Sequence, residues 1–325
     1  MPPGTKRWVR RIRATAATLI QQRALFDGGS GLAVLSVRCQ AMTQSAPMSF
    51  EEATSVLESG HDSFTGRYPT WWEGERVFGG LILAQAVAAA ASTVEASIPI
   101  HSLHGLFLRP SSPGEASRIT VERVRDGRSF VTRRTSTATA GKETFQMLAS
   151  FHVPEEGEEY QLAPASVQGP DPALSEYDPD DPFEVIELGP SAQRDDGTYE
   201  STRRAWVRLR TPLGDDPIRQ AAATAYASDM TRAAFRPMSL GTWGEHLDAS
   251  LDHAVWFHRP PAMDDWNLFD LHTVTTTAGR SLMRGTFHDV QGRLVTSMAQ
   301  EILIRRIDGA ASIAFDDPQN RPPGP

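Results

Sequence analysis

One cysteine, Cys39, in 325 residues removes two classes of chemistry at the outset. A lone thiol builds no internal disulfide framework and no multi-cysteine zinc site, and such scarcity fits a reducing compartment. Cys39 also lies in a segment that reads as peripheral, so a nucleophilic cysteine is not expected. No apolar run reaches the ~18 residues that a membrane span requires. The longest, residues 81–91, is interrupted by Gln85. The chain has no HExxH, no GxxxxGK[ST] loop and no GxGxxG. It also lacks a GxSxG elbow, which argues against a serine hydrolase of the α/β kind. His101 and His104 are three apart on a strand and face opposite sides, so they do not share a metal ion. Neither a metal nor a cofactor is expected.

What the chain does have is 40% apolar and 22% charged residues, enough for two domain-sized cores in a soluble globular protein. Charge is unevenly spread. Residues 1–41 hold seven Lys and Arg against one acid, Asp27, a net +6; the chain as a whole is −8, so the remainder is −14. An acidic body argues against nucleic acid as the main partner, because phosphate binding needs a concentrated positive field. The basic leader, taken as residues 1–48, reads either as a disordered or targeting segment or as a start codon assigned too early, with Met42 or Met48 opening the folded protein. A cytoplasmic location is expected, organelle targeting by the leader being the alternative. The last residues, 309–325, read as a disordered tail.

Periodicity divides the rest into two similar halves. Residues 49–60 have helical spacing, with a capping box opening at Ser49. Residues 81–94 form a helix apolar on nearly every side, which must therefore be buried. Strand character follows at 101–109, 117–126, 129–138 and 144–153, so the N-terminal unit spans 49–155. Residues 156–202 are rich in Pro, Asp and Glu and read as a linker on the surface. The pattern then restarts over 203–308: a strand at 206–211, a helix opened by Asp216 and Pro217 and running to about Asp229, then strands at 253–258, 266–277, 281–289 and 294–307. Landmarks keep step between the halves. Leu106 to Pro110 resembles Trp256 to Pro260, Gly127-Arg128-Ser129 resembles Gly279-Arg280-Ser281, and the turns at Gly141 and Gly292 each precede a methionine, Met147 or Met298, by six residues. A duplicated unit, one buried helix wrapped by an antiparallel sheet, is the expected α+β architecture.

Polar residues on faces that otherwise read as core mark candidate functional positions. Alternation along the last strand places Gln300 with Met298, Ile302 and Ile304. Its counterpart in the first half is Ala149, so folding does not require the amide. Helical spacing places Asp229 on the buried stripe of Ile218, Ala221, Ala222 and Ala225, at the helix end where the macrodipole disfavours a negative charge. The alternative is an exposed turn aspartate just past the helix. Ser250 is ambiguous by pattern, sharing its face with Asp252, Ala254 and Trp256, and a turn or capping serine is its default reading. Gly79 and Gly80 open the first buried helix. Their N–H groups are placed either to hold a carbonyl oxygen or phosphate, or simply to permit close packing.

These stretches resemble the acyl-CoA thioesterase II family. The resemblance covers roughly residues 50–155 and 203–308. It rests on Val77-Phe78-Gly79-Gly80 with Gln85-Ala86, His101-Ser102-Leu103-His104 with Phe107 to Pro110, Tyr226-Ala227-Ser228-Asp229, Asp252-His253 with Trp256 to Pro260, and Gln300-Glu301. It implies a double hotdog fold, hydrolysis of fatty acyl-CoA to free acid and CoA, and a catalytic group of Asp229, Ser250 and Gln300. Gly79, Gly80 and His101 are the expected substrate contacts, acyl-CoA the partner, and a homo-oligomer the assembly. Asp229 would act as general base on a water oriented by Ser250 and Gln300, with the Gln300 amide or the Gly80 N–H as oxyanion donors. A hotdog dehydratase or hydratase using His101, or a non-catalytic acyl-CoA binding protein, are the competing readings.

Overall fold

The computed structural model describes residues 48–69, 76–175, 181–188, 202–231 and 246–306; the expectations for the basic leader and the C-terminal tail fall outside this range. The first helix, α1 (Phe50–Thr54), opens with the expected capping box, in which Ser49 Oγ accepts from the Glu52 N–H and the Glu52 carboxylate accepts from the Ser49 N–H. It is far shorter than the sequence suggested. The Ser55 hydroxyl and N–H both bond the Glu51 carbonyl and close the helix. Residues beyond it instead form β1 (Leu57–Gly60), paired with β2 (Ser63–Arg67) around a turn at Asp62.

Helix α2 (Gly79–Ala91) is buried from Gly80 to its end, as its all-round apolar character requires. Four strands follow: β3 (Ile100–Phe107), β4 (Ala116–Asp126), β5 (Phe130–Thr139) and β6 (Lys142–His152). The stretch read as linker contributes β7 (Phe183–Glu187), because Phe183 and Ile186 bury one edge of an otherwise acidic segment. Elsewhere in it Gln161 binds the Gly292 carbonyl and the Leu294 N–H, holding the excursion to the body. The second half consists of β8 (Thr202–Leu209), α3 (Pro217–Ser228), β9 (His246–Ser250), β10 (Asp252–Phe257), β11 (Asn267–Thr277), β12 (Arg280–Asp289) and β13 (Leu294–Arg306).

All strands join one antiparallel sheet in the order β1-β2-β4-β5-β6-β3-β10-β13-β12-β11-β8-β7, with β9 also paired to β13. The order repeats in reverse about the β3–β10 seam, so β2-β4-β5-β6-β3 answers β8-β11-β12-β13-β10. Register agrees in detail: Gly105 faces Met147 in the first half, and Val255 faces Met298 in the second. The two helices pack on each other inside the curve, sharing one core with Phe145, Met147, Phe151, Phe269, Phe287 and Met298. Each such side chain contributes about 1.5–3 kcal/mol on burial, so this shared core is what makes the halves one folding unit.

One hairpin in each half, β5–β6 and β11–β12, uses a two-residue loop with both residues in the left-handed region, Ala140-Gly141 (φ 49° and 74°) and Ala278-Gly279 (φ 49° and 72°). Glycine tolerates this geometry; alanine pays about 1–2 kcal/mol for its Cβ. Ala140→Asn and Ala278→Asn should each stabilise the fold by roughly 0.5 kcal/mol, read as a higher urea midpoint at unchanged slope. A fall in the midpoint would show that the loops are held by something other than this turn geometry.

Candidate active site

Helix α3 is built to deliver its C-cap residue inward. The Asp216 carboxylate caps the Ile218 and Arg219 N–H groups and Pro217 fills the first helical position. Small residues, Ala221, Ala222 and Ala225, let the helix lie close to its neighbours. Its C-cap is Asp229, only 4% exposed. A carboxylate at this end of a helix opposes the macrodipole, and burial adds a larger penalty. Burial pushes the Asp229 carboxyl up to about 7, against hydrogen bonds from Gln300, the Gly80 N–H and Ser250 that pull it down.

Gly79 and Gly80 explain how the first half reaches this carboxylate. A Cβ on Gly79 would stand 2.7 Å from Asp229 Oδ2, and one on Gly80 would stand 2.5 Å from the Tyr226 carbonyl oxygen. Only glycine lets the N-terminus of α2 abut the C-terminus of α3, so the positive end of one dipole meets the charge at the negative end of the other. The Gly80 N–H, expected as a possible oxyanion donor, is thereby engaged by Asp229 itself.

Gln300 enters from β13, fully buried. Its Nε2 donates to Asp229 Oδ1 and, at 2.9 Å, to Ser250 Oγ. Both amide protons are thus engaged, which leaves neither for an oxyanion in this arrangement. Ser250 Oγ in turn lies 3.4 Å from Asp229 Oδ1. Simple alternation would have turned Ser250 to the outer face with Asp252, Ala254 and Trp256. A bulge prevents this. Ser250 pairs with Ile302 and Ala254 with Ala299, so four steps on one strand match three on β13. Asp252 accepts the Glu301 N–H at 2.8 Å within the irregularity, while Leu251 bonds the Glu301 carbonyl. The extra residue lets both Ser250 and His253 face inward.

The structure therefore brings Asp229, Ser250, Gln300, Gly79 and Gly80 together. It does not bring His101 to them: that ring lies with Ser150, whose Oγ is 2.8 Å from Nε2, and packs against Phe130 and His152 on the opposite side of the sheet. Burial lowers the pKa of His101. Sequence reasoning missed His253. It is fully buried, with Nε2 2.8 Å from Ser228 Oγ and Nδ1 3.8 Å from Asp229 Oδ1, and burial pushes it down to about 3. Alternation with Val255 and Phe257 already placed it on the inner face, where a histidine among apolar residues is the same kind of signal that exposed Gln300.

Comparison with known proteins agrees with this architecture. Residues 68–152 match the acyl-CoA thioesterase N-terminal domain, and residues 149–304 the acyl-CoA thioesterase C-terminal domain. Human acyl-coenzyme A thioesterase 8 is 31% identical over 274 residues, which cover 75% of this chain and 85% of that protein. The crystal structure of acyl-CoA thioesterase II TesB2 from Mycobacterium marinum is 33% identical, with a TM-score of 0.70 over 80% of this chain and 99% of the other. A hot dog protein of Alicyclobacillus acidocaldarius, 19% identical, shares the fold with a TM-score of 0.65 over 79% of this chain and 97% of its own. Two helix-wrapping units on one continuous sheet are thus a double hotdog of the α+β class. The chain belongs to the acyl-CoA thioesterase family and is a thioester hydrolase. Among the described residues no helix is long and apolar enough to cross a membrane.

Asp229 and His253 have opposite effects on pH-dependent stability. The carboxyl, raised from 3.8 to about 7, loses stability as pH rises through that window; the imidazole, lowered from 6.5 to about 3, loses it as pH falls from 6.5. Between pH about 4 and 6.5 the folded pair holds its proton on Asp229 and the unfolded pair on His253, so the two slopes cancel. Asp229→Asn should expose the histidine alone: its Tm should exceed the wild type at pH 8 and fall more steeply below pH 6.5. A variant that is less stable at pH 8 would contradict the raised carboxyl.

Proposed function

We propose that Asp229, Ser250 and Gln300 form the catalytic group for hydrolysis of fatty acyl-CoA to free fatty acid and CoA. The supporting observation is a buried carboxyl poised near neutrality and hydrogen-bonded by the other two side chains. A base works best when its pKa lies near the working pH, since it is then substantially ionised yet still holds a proton well. Asp229 takes a proton from water as the water oxygen bonds the thioester carbonyl carbon and the carbonyl electron pair moves to oxygen. Collapse restores the carbonyl, breaks the carbon–sulfur bond and returns the proton from Asp229 to the departing thiolate. Gln300, with both amide protons engaged, fixes Asp229 and Ser250 in place, and Ser250 orients the water. No covalent acyl-enzyme is required, because a thiolate leaves readily and positioning of the water supplies much of the rate.

Thiol release from saturated acyl-CoAs of several chain lengths tests the assignment and separates hydrolysis from hydration, which needs a double bond. Asp229→Asn should lower kcat by roughly 10³-fold. Gln300→Ala and Ser250→Ala should lower it less, in that order. The wild-type kcat/KM should climb with pH through about 7, as Asp229 loses its proton. Near-normal turnover by Asp229→Asn would refute the proposal.

A further inference from the structure

His253 borders the Asp229 group with a ring nitrogen, Nδ1, that makes no hydrogen bond of ordinary geometry. Ser228 Oγ lies 2.8 Å from both the Ala225 carbonyl and His253 Nε2; its single proton is assigned to the carbonyl, the back-bond that a last-turn helix serine makes, so that it accepts from Nε2. The ring proton is thereby placed on Nε2, and Nδ1 is a bare acceptor. Nδ1 faces the Gln300 side chain, but with the proton on Nε2 both it and Gln300 Oε1 are acceptors, and neither makes a hydrogen bond of ordinary geometry. Two buried acceptors beside a carboxylate cannot satisfy one another; each unmet lone pair costs about 1–3 kcal/mol. What suits them is a small donor with more than one proton.

The internal repeat shows that this arrangement is not a requirement of the fold. Where the second half has His253 beside Gln300, the first half has Leu103 facing Ala149, both buried. The two polar residues occur in the half that carries Asp229, and their apolar counterparts in the half that does not. Full burial also keeps the imidazole neutral across the working range, so Nδ1 stays an acceptor.

We propose that His253 is a fourth catalytic residue, its Nδ1 accepting one hydrogen of the attacking water while Asp229 accepts the other. This rests on the reading of Asp229 as the base. With both hydrogens held, a lone pair of the water is turned toward the thioester carbon. Only the hydrogen facing Asp229 is transferred. The one facing His253 stays on oxygen and leaves as the hydroxyl of the product acid, so the imidazole ends the cycle as it began.

Three variants of the full chain separate this role from a structural one. His253→Asn keeps an amide oxygen close to the Nδ1 position; His253→Gln reaches toward Ser228 and leaves the Nδ1 position unserved; His253→Leu installs the residue of the first half. With a saturated acyl-CoA, the Gln and Leu variants should lose roughly 10²-fold in kcat, with KM changed less than about twofold. The Asn variant should retain activity within about fivefold of wild type. Losses of equal size in Asn and Gln, or a Leu variant above about half of wild-type kcat, would overturn the proposal. If His253→Leu does not fold, the Asn–Gln contrast alone decides. Asp229→Asn measured alongside distinguishes the two levels: near-normal activity there defeats the parent reading, whereas an inactive Asp229→Asn with a fully active His253→Leu defeats only the role of His253.

Discussion

Burial of a single carboxylate between two helix ends is the constraint on which the rest of this structure turns. Asp229 sits where the dipole of α3 opposes it, and it is tolerable there because the N-terminus of α2 comes close enough to donate a backbone N–H. That approach in turn requires Gly79 and Gly80, whose Cβ atoms would overlap the carboxylate and the end of α3. The two halves of the chain therefore need each other at the site: one supplies the carboxyl and the other the helix end that holds it. A single unit of this kind would leave the carboxylate either exposed or unpaired.

The duplication has diverged in a chemically consistent way. In the second half the inner face carries His253 and Gln300, with Met283 opposite Gln300 across the strand. In the first half the equivalent positions hold Leu103, Ala149 and Arg133. Arg133 is buried, with its five donors directed to the Thr93 hydroxyl and carbonyl, the carbonyls of Arg125 and Thr132, and the Asp126 carboxylate. A guanidinium so fully engaged fills that interior and has no donor left for a ligand. One half thus became scaffold, while the other kept a polar group beside the helix end.

Much of this was legible in the sequence, for identifiable reasons. Asp229 and Gln300 could be found because helix and strand periods are strict, so a polar residue on an apolar face stands out, and the repeat gave Gln300 an alanine for contrast. Ser250 could not be found by the same rule, since one extra residue at the bulge reverses the face to which alternation assigns it. The residues after Thr54 read as helix because their apolar spacing suits either period, and a hairpin partner decided between them. Strand β7 was hidden in a segment whose composition is dominated by acids and prolines, although two apolar residues sufficed to seat it on the sheet edge. The position of His101 depended on side-chain packing across the sheet, which no local pattern specifies.

We propose that the Asp229 carboxyl titrates near neutrality and that its ionised form is the base. Carbon-13 observation of the carboxyl in protein labelled at aspartate, with Asp229→Asn to assign the signal, measures this without reference to turnover. The expected resonance titrates at about 7, is absent from the variant, and coincides with the rise in kcat/KM. A signal that titrates in the ordinary aspartate range, near 4, would contradict it.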